Sequence, residues 1–249
     1  MDYPPHRPIH EDERRFNPRH LGGLARRWAT VDSRKALPIQ GEGRLLDFGC
    51  GSGSYLWRMH QQGWKVLGVD RSESAVDYVR HELGLPALSG SLPHEELHDG
   101  YFDVITMWQS LEHVHAPMEV LRSARRLLAP GGKLIVAVPN IDSLPFRWFG
   151  PAWIGLDLPR HLSHFAPGTL TRMLQSTGFR PGPVRMIRRS AWLRSSAHLA
   201  CLRRGGVTRF QRWLKGKTVS NLASWYGYLT HRSDCMIVTA EAAPQPVNR

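Results

Sequence analysis

The chain has 249 residues, 41% of them hydrophobic and 22% charged, with a formal net charge of +12. That length and apolar share allow a full core and exclude a disordered or fibrous composition. The cysteines, Cys50, Cys201 and Cys235, are far apart and show no CxxC or zinc-ligand spacing, so neither a disulfide framework nor a structural metal is suggested and a reducing cytoplasm fits best.

The chain opens on MDYPPHRPIHEDERRF, prolyl and charged, without the apolar stretch of a signal peptide. No apolar run approaches the roughly 20 residues that cross a bilayer. Residues 1–40 include HLGGLARRWATVDSRKAL, a basic, partly amphipathic helix expected to act as an N-terminal cap over the mouth of a site. GRLLDFG reads as a short buried strand, and YLWRMHQQG, from about Ser54, as a helix closed by Gly63. WKVLGVD is a second strand ending at Asp70, followed by SESAVDYVRHELG, a helix with a Ser cap and Gly84 at its end. PALSG is a brief third strand and YFDVITMW a fourth. APMEVLRSARRLLAPGG is an amphipathic helix stopped by Pro-Gly-Gly, and KLIVAVP a fifth strand, apolar throughout as a parallel strand covered on both faces must be. PGTLTRMLQSTGF is a further helix, PVRMIR a sixth strand and CMIVTAE a seventh.

This alternation predicts an α/β, Rossmann-like doubly wound sheet of seven strands, mostly parallel, with right-handed crossovers. The expected organisation is a cap over 1–40, a main domain over 41–189 plus 233–241, a basic aromatic insertion over 190–232 and a disordered tail over 242–249. No internal repeat is evident.

LLDFGCGSGSYL, Leu45 to Leu56, places Gly49, Gly51 and Gly53 directly behind the first strand. In such a sheet ligands bind beyond the carboxyl ends of the strands. Three glycines let the backbone turn tightly and approach a ligand that a Cβ would obstruct, and the following helix aims free N–H groups at it. A dinucleotide loop requires a third glycine at position 54, which is Ser54, and a P-loop requires a GKS or GKT that is missing. What remains is Asp-x-Gly-x-Gly-x-Gly, with Asp47 inside the motif and Asp70 ending the next strand. A carboxylate at that second tip can grip both hydroxyls of a ribose. The plainer alternative is that the glycines only shape a strand-to-helix turn.

LLDFGCGSG, VLGVD, FDVITMWQSLEHV and LLAPGGKLIVAVPN, in that order and spacing, resemble the class I S-adenosylmethionine-dependent methyltransferases. The nearest group is the one that includes the ubiquinone-biosynthesis O-methyltransferases. The resemblance covers Gly43 to Asn140 and continues more loosely to CMIVTAE, implying that the last strand runs antiparallel. It also implies S-adenosylmethionine as cofactor, with Asp47, Gly49, Cys50, Gly51 and Gly53 around its methionine part and Asp70, with Arg71 beside it, at the ribose. Family members often carry an acidic residue after the third strand, near the adenine. Here Ser91 stands there, so adenine contacts fall to Ser91 and Leu92. Gln109 joins the cofactor-binding set at the fourth strand tip.

Methyl transfer requires an aligned acceptor, excluded water and, for a hydroxyl, a base. WQSLEHV offers His113 as that base and Glu112 as its partner; alternatively the pair only satisfies backbone groups at a junction. Some ubiquinone O-methyltransferases have a metal-holding carboxylate three positions before this Glu. That position is Gln109 here, so no metal is expected.

The connection after the fifth strand, NIDSLPFRWFGPAWIGLDLPRHLSHFA, adds His161 as an alternative base. It also adds Arg160, His164 and Trp153 as candidate acceptor contacts; alternatively the histidines pack at a helix entrance and Trp153 lies in the core.

Charge is distributed unevenly. Arg180 to Ser233 contains twelve Lys and Arg and no Asp or Glu, while the remaining 21 basic residues balance 21 acidic ones. Interleaved with Trp192, Phe210, Trp213, Trp225, Tyr226 and Tyr228, this insertion suits an anionic membrane face first and RNA second, or is a solvated excursion. The sequence therefore predicts a cytoplasmic methyltransferase, peripheral to the inner face of the membrane if the insertion binds there, acting on oxygen of a small-molecule or lipid-linked acceptor. An RNA methyltransferase and a non-catalytic cofactor-binding partner subunit are the alternatives.

Overall fold

The computed structural model of the protein describes residues 43–202 and 208–243. The expected N-terminal cap lies outside the described residues. The elements follow the order β1 (Arg44–Phe48), α1 (Ser54–His60), β2 (Lys65–Asp70), α2 (Glu73–His81), β3 (Ala87–Ser89), β4 (Phe102–Trp108), α3 (Pro117–Leu127) and β5 (Leu128–Pro139). After β5 come α4 (Leu144–Phe149), α5 (Pro167–Ser176), β6 (Phe179–Pro181), β7 (Arg185–Ile187), α6 (Ser190–Leu202), α7 (Arg209–Trp213), α8 (Lys217–Leu229) and β8 (Cys235–Ala242).

The strand order is β3-β2-β1-β4-β5-β8-β6, with β7 also against β8. Strands β1 to β5 are parallel, and β8 runs antiparallel to β5, pairing Leu134 with Ala240 and Val136 with Val238. The order reverses between β1 and β4, so the crevice where ligands bind such sheets opens at their carboxyl ends. The expected sixth strand, PVRMIR, is β7, and an additional short strand, β6, precedes it; both run antiparallel to β8. Pro181 and Pro183 lack the N–H that an unbroken ladder requires, and the Gly182 N–H bridges the gap to the Thr239 carbonyl at 2.9 Å. β8 reaches Ala242, past the expected start of the tail.

Leu46, Ile105, Leu134, Val136 and Val238 are wholly buried and form the centre of the main core, closed by Leu121 and Ala124 of α3 and Leu170 and Leu174 of α5. Ile135 and Ala137, on the opposite face of β5 from Leu134 and Val136, are buried too, so the strand is covered on both faces and its run is apolar throughout. A second core joins two regions that the sequence reading kept apart. Phe149, Ala152 and Trp153 of the connection after β5 pack with Leu193, Ala197, Ala200 and Leu214 of the helical excursion.

Trp153 is 1% exposed, and its indole N–H donates to Asp234 Oδ1 at 2.8 Å. The expectation that Trp153 contacts an acceptor is therefore corrected. Its ring is needed to fill the second core, and its polar edge is used by Asp234.

Burial raises the Asp234 carboxyl to about 7, against the indole hydrogen bond and the nearby Arg189, which lower it. A group with a raised folded value stabilises the fold fully below its ordinary range and loses that contribution as pH rises toward the folded value. Asp234→Asn keeps an acceptor for Trp153 and removes the charge. In urea titrations the wild type should lose stability relative to Asp234→Asn between about pH 4 and pH 7, at up to about 1.4 kcal/mol per pH unit. Parallel pH profiles would remove Asp234 as the titrating group.

Candidate active site

The loop after β1 turns through Gly49, Gly51 and Gly53 with φ of 75°, 51° and 68°. The three serve different ends. A Cβ on Gly49 would stand 2.4 Å from Cβ of Ser110, and one on Gly53 2.7 Å from Val79 and Leu83, whereas one on Gly51 would meet nothing within 4 Å. Packing dictates the first and third, and Gly51 faces open space.

The carboxylate of Asp70, at the tip of β2, fastens the loop. The Gly51 N–H donates to Oδ2 at 2.8 Å and the Ser72 N–H to Oδ1 at 2.9 Å. Asp47 is buried beneath, with the Thr106 hydroxyl donating to its Oδ1 at 2.6 Å. Cys50 is buried too, its sulfur lying so close to Gly68 that a Cβ there would come within 2.7 Å, and burial pushes its thiol up. Asp47 and the side chain of Cys50 thus shape the loop from within.

A pocket of about 180 Å³ opens at the tips of β1, β2 and β4. Of the residues expected at a cofactor, Gly49, Asp70, Arg71 and Gln109 line it, as does His113. Gly90 and Ser110 also line it, and the sequence reading missed both. Ser91 is half-buried and Leu92 belongs to the main core, so on the β3 side the pocket wall is Gly90. The signal for Ser110 was its place directly after Gln109 at a strand tip.

At that tip Gln109 takes a φ of 53°, strained for a residue with a side chain, while its N–H donates to Ala137 O at 2.8 Å. Both amide atoms of its side chain and the Ser110 hydroxyl are buried without a hydrogen-bond partner. Strain together with unpaired polar atoms on a pocket wall marks a ligand position.

The turn Leu111–His113 follows. Glu112 is wholly buried with neither carboxylate oxygen partnered, and burial raises its carboxyl to about 8 while Arg189 lowers it. The carbonyl of Glu112 accepts from Leu162 N–H at 2.8 Å and Ser163 N–H at 3.1 Å, tying the turn to the loop after β5. From that loop, the Arg160 carbonyl meets His113 Nδ1 at 3.0 Å and the Gly155 carbonyl meets His161 Nδ1 at 2.9 Å. A carbonyl only accepts, so each neutral ring carries its proton on Nδ1 and keeps a lone pair on Nε2.

The two rings lie edge to face with centroids 4.7 Å apart. His161 is buried, which pushes its pKa below the usual histidine value, and its Nε2 is 3.8 Å from Asp157 Oδ2. The Arg160 guanidinium is exposed and pairs with Asp157 at 3.3 Å. His164 Nε2 meets the Leu156 carbonyl at 2.9 Å. His113 and His161 are therefore brought together, with Arg160 holding His113 through its backbone.

Glu112, His113 and His161 each offer a ligand atom, all within 4.8 Å of one another. The expectation of no metal considered only the position of Gln109. His161, on the loop that follows β5, reaches the same spot, a proximity that sequence spacing does not reveal.

A glycine loop, a carboxylate at the second strand tip and unpaired polar atoms at the fourth thus meet at one pocket, where a sheet of this order binds its ligand. Residues 20–181 match the family described as a methyltransferase domain. The ubiquinone biosynthesis O-methyltransferase of Thiobacillus denitrificans is 33% identical over 176 residues, covering 66% of this chain and 74% of the relative. That of Pseudomonas aeruginosa is 32% identical over 162 residues, covering 61% and 68%. Among solved structures, an S-adenosylmethionine-dependent methyltransferase of Mesorhizobium loti superposes with a TM-score of 0.58 at 21% identity, covering 84% of this chain and 95% of that one. A methyltransferase of Haloferax volcanii solved with the activator Trm112 gives 0.63 at 16%, covering 88% and 92%. The chain belongs to the methyltransferase-domain family, and it is an S-adenosylmethionine-dependent methyltransferase.

The glycines separate stability from binding. Gly51→Ala should cost about 1 kcal/mol in urea unfolding, the price of a left-handed alanine. Gly49→Ala should cost about 1–3 kcal/mol more, from its clash with Ser110. Calorimetry with S-adenosylhomocysteine should find the larger loss of affinity, at matched folded fraction, in Gly51→Ala. Equal destabilisation of the two variants would contradict the packing assigned to Gly49.

Proposed function

We propose that the enzyme methylates an oxygen of a small-molecule or lipid-linked acceptor, with His113 as general base. The observation that carries this reading is the His113 Nδ1 hydrogen bond to the Arg160 carbonyl, which leaves Nε2 as the proton acceptor of a residue on the pocket wall. S-adenosylmethionine, when bound, supplies a methyl group on a sulfonium. The open face of Gly51 and the unpaired Gln109 and Ser110 fit it. Asp70 holds the ribose through the second lone pairs of oxygens that already accept the Gly51 and Ser72 N–H groups. Arg71, Gly90, Ser91 and the Leu92 backbone bound the adenine side.

His113 Nε2 would take the proton of the acceptor hydroxyl as its oxygen bonds the methyl carbon and that carbon's bond to the sulfonium sulfur breaks, with S-adenosylhomocysteine leaving. Glu112 and His161 bound the base from beneath, and Arg160 and His164 stand on the acceptor side. The same reading puts the enzyme in the cytoplasm, where a lipid-linked acceptor is presented at the inner face of the membrane. The relatives named as O-methyltransferases support oxygen as the acceptor atom.

The spacing of Glu112, His113 and His161 favours a second reading of the same atoms. An unpartnered buried carboxylate and two Nε2 lone pairs fit a divalent cation, which, when bound, would make an acceptor hydroxyl more acidic. His113 cannot serve as ligand and as base at once.

Turnover on extracted metabolites and lipids, read by mass spectrometry as the gain of one methyl group, separates the two. His113→Ala should lower kcat by about 10²–10⁴ with cofactor affinity unchanged, and the wild type should keep its rate in EDTA. A rate lost to EDTA and restored by a divalent metal would favour the cation, and wild-type turnover in His113→Ala would end the base assignment.

A further inference from the structure

Helix α8 is built inside out. It buries Ser220, Ser224 and Gly227 and leaves Leu222, Tyr226 and Leu229 66%, 58% and 71% exposed. Spaced i, i+4 and i+7, the three large side chains form one stripe on the outer face. A helix between core and water normally shows the reverse pattern. The inner face is small because α8 packs closely on α6, which buries Ser196, Ala197 and Ala200.

The apolar exposure is local. Of twelve exposed large hydrophobics among the described residues, seven fall between Leu202 and Leu229, so the excursion rather than the catalytic sheet carries it. Trp213, 66% exposed, adds an aromatic from α7. Arg209, Arg212, Lys215 and Lys217 stand in the same stretch, exposed, within a sequence that has no acidic residue from Arg180 to Ser233. A groove of about 410 Å³ beside α6 combines the cations Arg194 and Lys215 with Leu199 and Leu202, a basic and apolar lining side by side.

We propose that α6–α8 dock the enzyme on an anionic phospholipid bilayer, with Leu222, Tyr226, Leu229 and Trp213 at the acyl boundary and the flanking cations among the headgroups. A bilayer offers both things this surface lacks, an apolar layer and negative charge spread over a plane. A second copy would bring the same positive charge to the contact. RNA would satisfy the cations and stack on Trp213 and Tyr226 but would gain nothing from Leu222 and Leu229. Docking sharpens the reading of a lipid-linked acceptor without resting on methyl transfer, because none of these residues lines the strand-tip pocket.

The test is co-sedimentation of the full chain with vesicles of phosphatidylglycerol and phosphatidylcholine in equal parts, against phosphatidylcholine alone. Partitioning should be at least about tenfold stronger onto the anionic vesicles and should weaken in high salt. Leu222→Ser combined with Tyr226→Ser and Leu229→Ser should lower it at least about tenfold, as should Arg212→Gln combined with Lys215→Gln and Lys217→Gln, at about fivefold per cation. S-adenosylhomocysteine affinity, measured by calorimetry, should stay at the wild-type value in both variants and so report an intact pocket. Equal partitioning onto both vesicle types, or variants that bind like the wild type, would overturn the proposal. So would a wild-type dimer that the Leu222 set renders monomeric, or retention of single-stranded RNA without vesicle binding.

Discussion

The geometry of the site depends on a short set of backbone hydrogen bonds between two loops. The Glu112 carbonyl accepts from Leu162 and Ser163, and the Arg160 carbonyl fixes His113 Nδ1. Without them the turn after β4 and the loop after β5 would be separate surface connections, free to move apart. With them, His113, its neighbour His161 and the β4 tip form one unit. That unit is anchored further back, where Trp153 of the same loop donates to Asp234 at the entrance to β8. The antiparallel last strand therefore does more than close the sheet. It supplies the buried acceptor that holds the loop and, through the loop, sets the tautomer of His113.

The floor of this unit is electrostatically unusual. Glu112 and Asp234 are both fully buried, and burial raises both carboxyls, to about 8 and about 7. Arg189 opposes both shifts and also acts on the buried Cys235 thiol. A buried carboxylate without a full partner gives up its charge by taking a proton. Glu112, beside His113, is thereby favoured in its neutral, protonated form.

The glycine loop, Asp70, the parallel strands and the strand-tip location were legible because each follows from a local rule. An apolar run reads as a strand, glycines at alternate positions as a turn, and a carboxylate closing the next run as a residue at the strand tip. His161 beside His113 was not legible in the same way, since the residues are 48 positions apart and are joined through the Arg160 and Gly155 carbonyls. Trp153 read as a candidate acceptor contact because an aromatic loop has no period from which to tell inside from outside; only its indole bond to Asp234 decides. Ser110 became visible through contact, as the side chain that forbids a Cβ on Gly49.

The second core explains why α8 turns its large residues outward. Val219 and Ala223 pack inward against the cluster that holds Trp153, Leu193 and Leu214, while Leu222, one position before Ala223, and Tyr226, three positions after it, stay outside. Close approach to α6 leaves room on the inner face only for small side chains, so the large ones have no place in the core whatever their hydrophobicity. The helix is held by contact with α6 and by the Arg188 guanidinium 4.0 Å above the Trp225 ring rather than by burying its apolar stripe. The helices that expose this stripe share a core with the loop that orients His161, so the outward surface and that loop stand on one structural element.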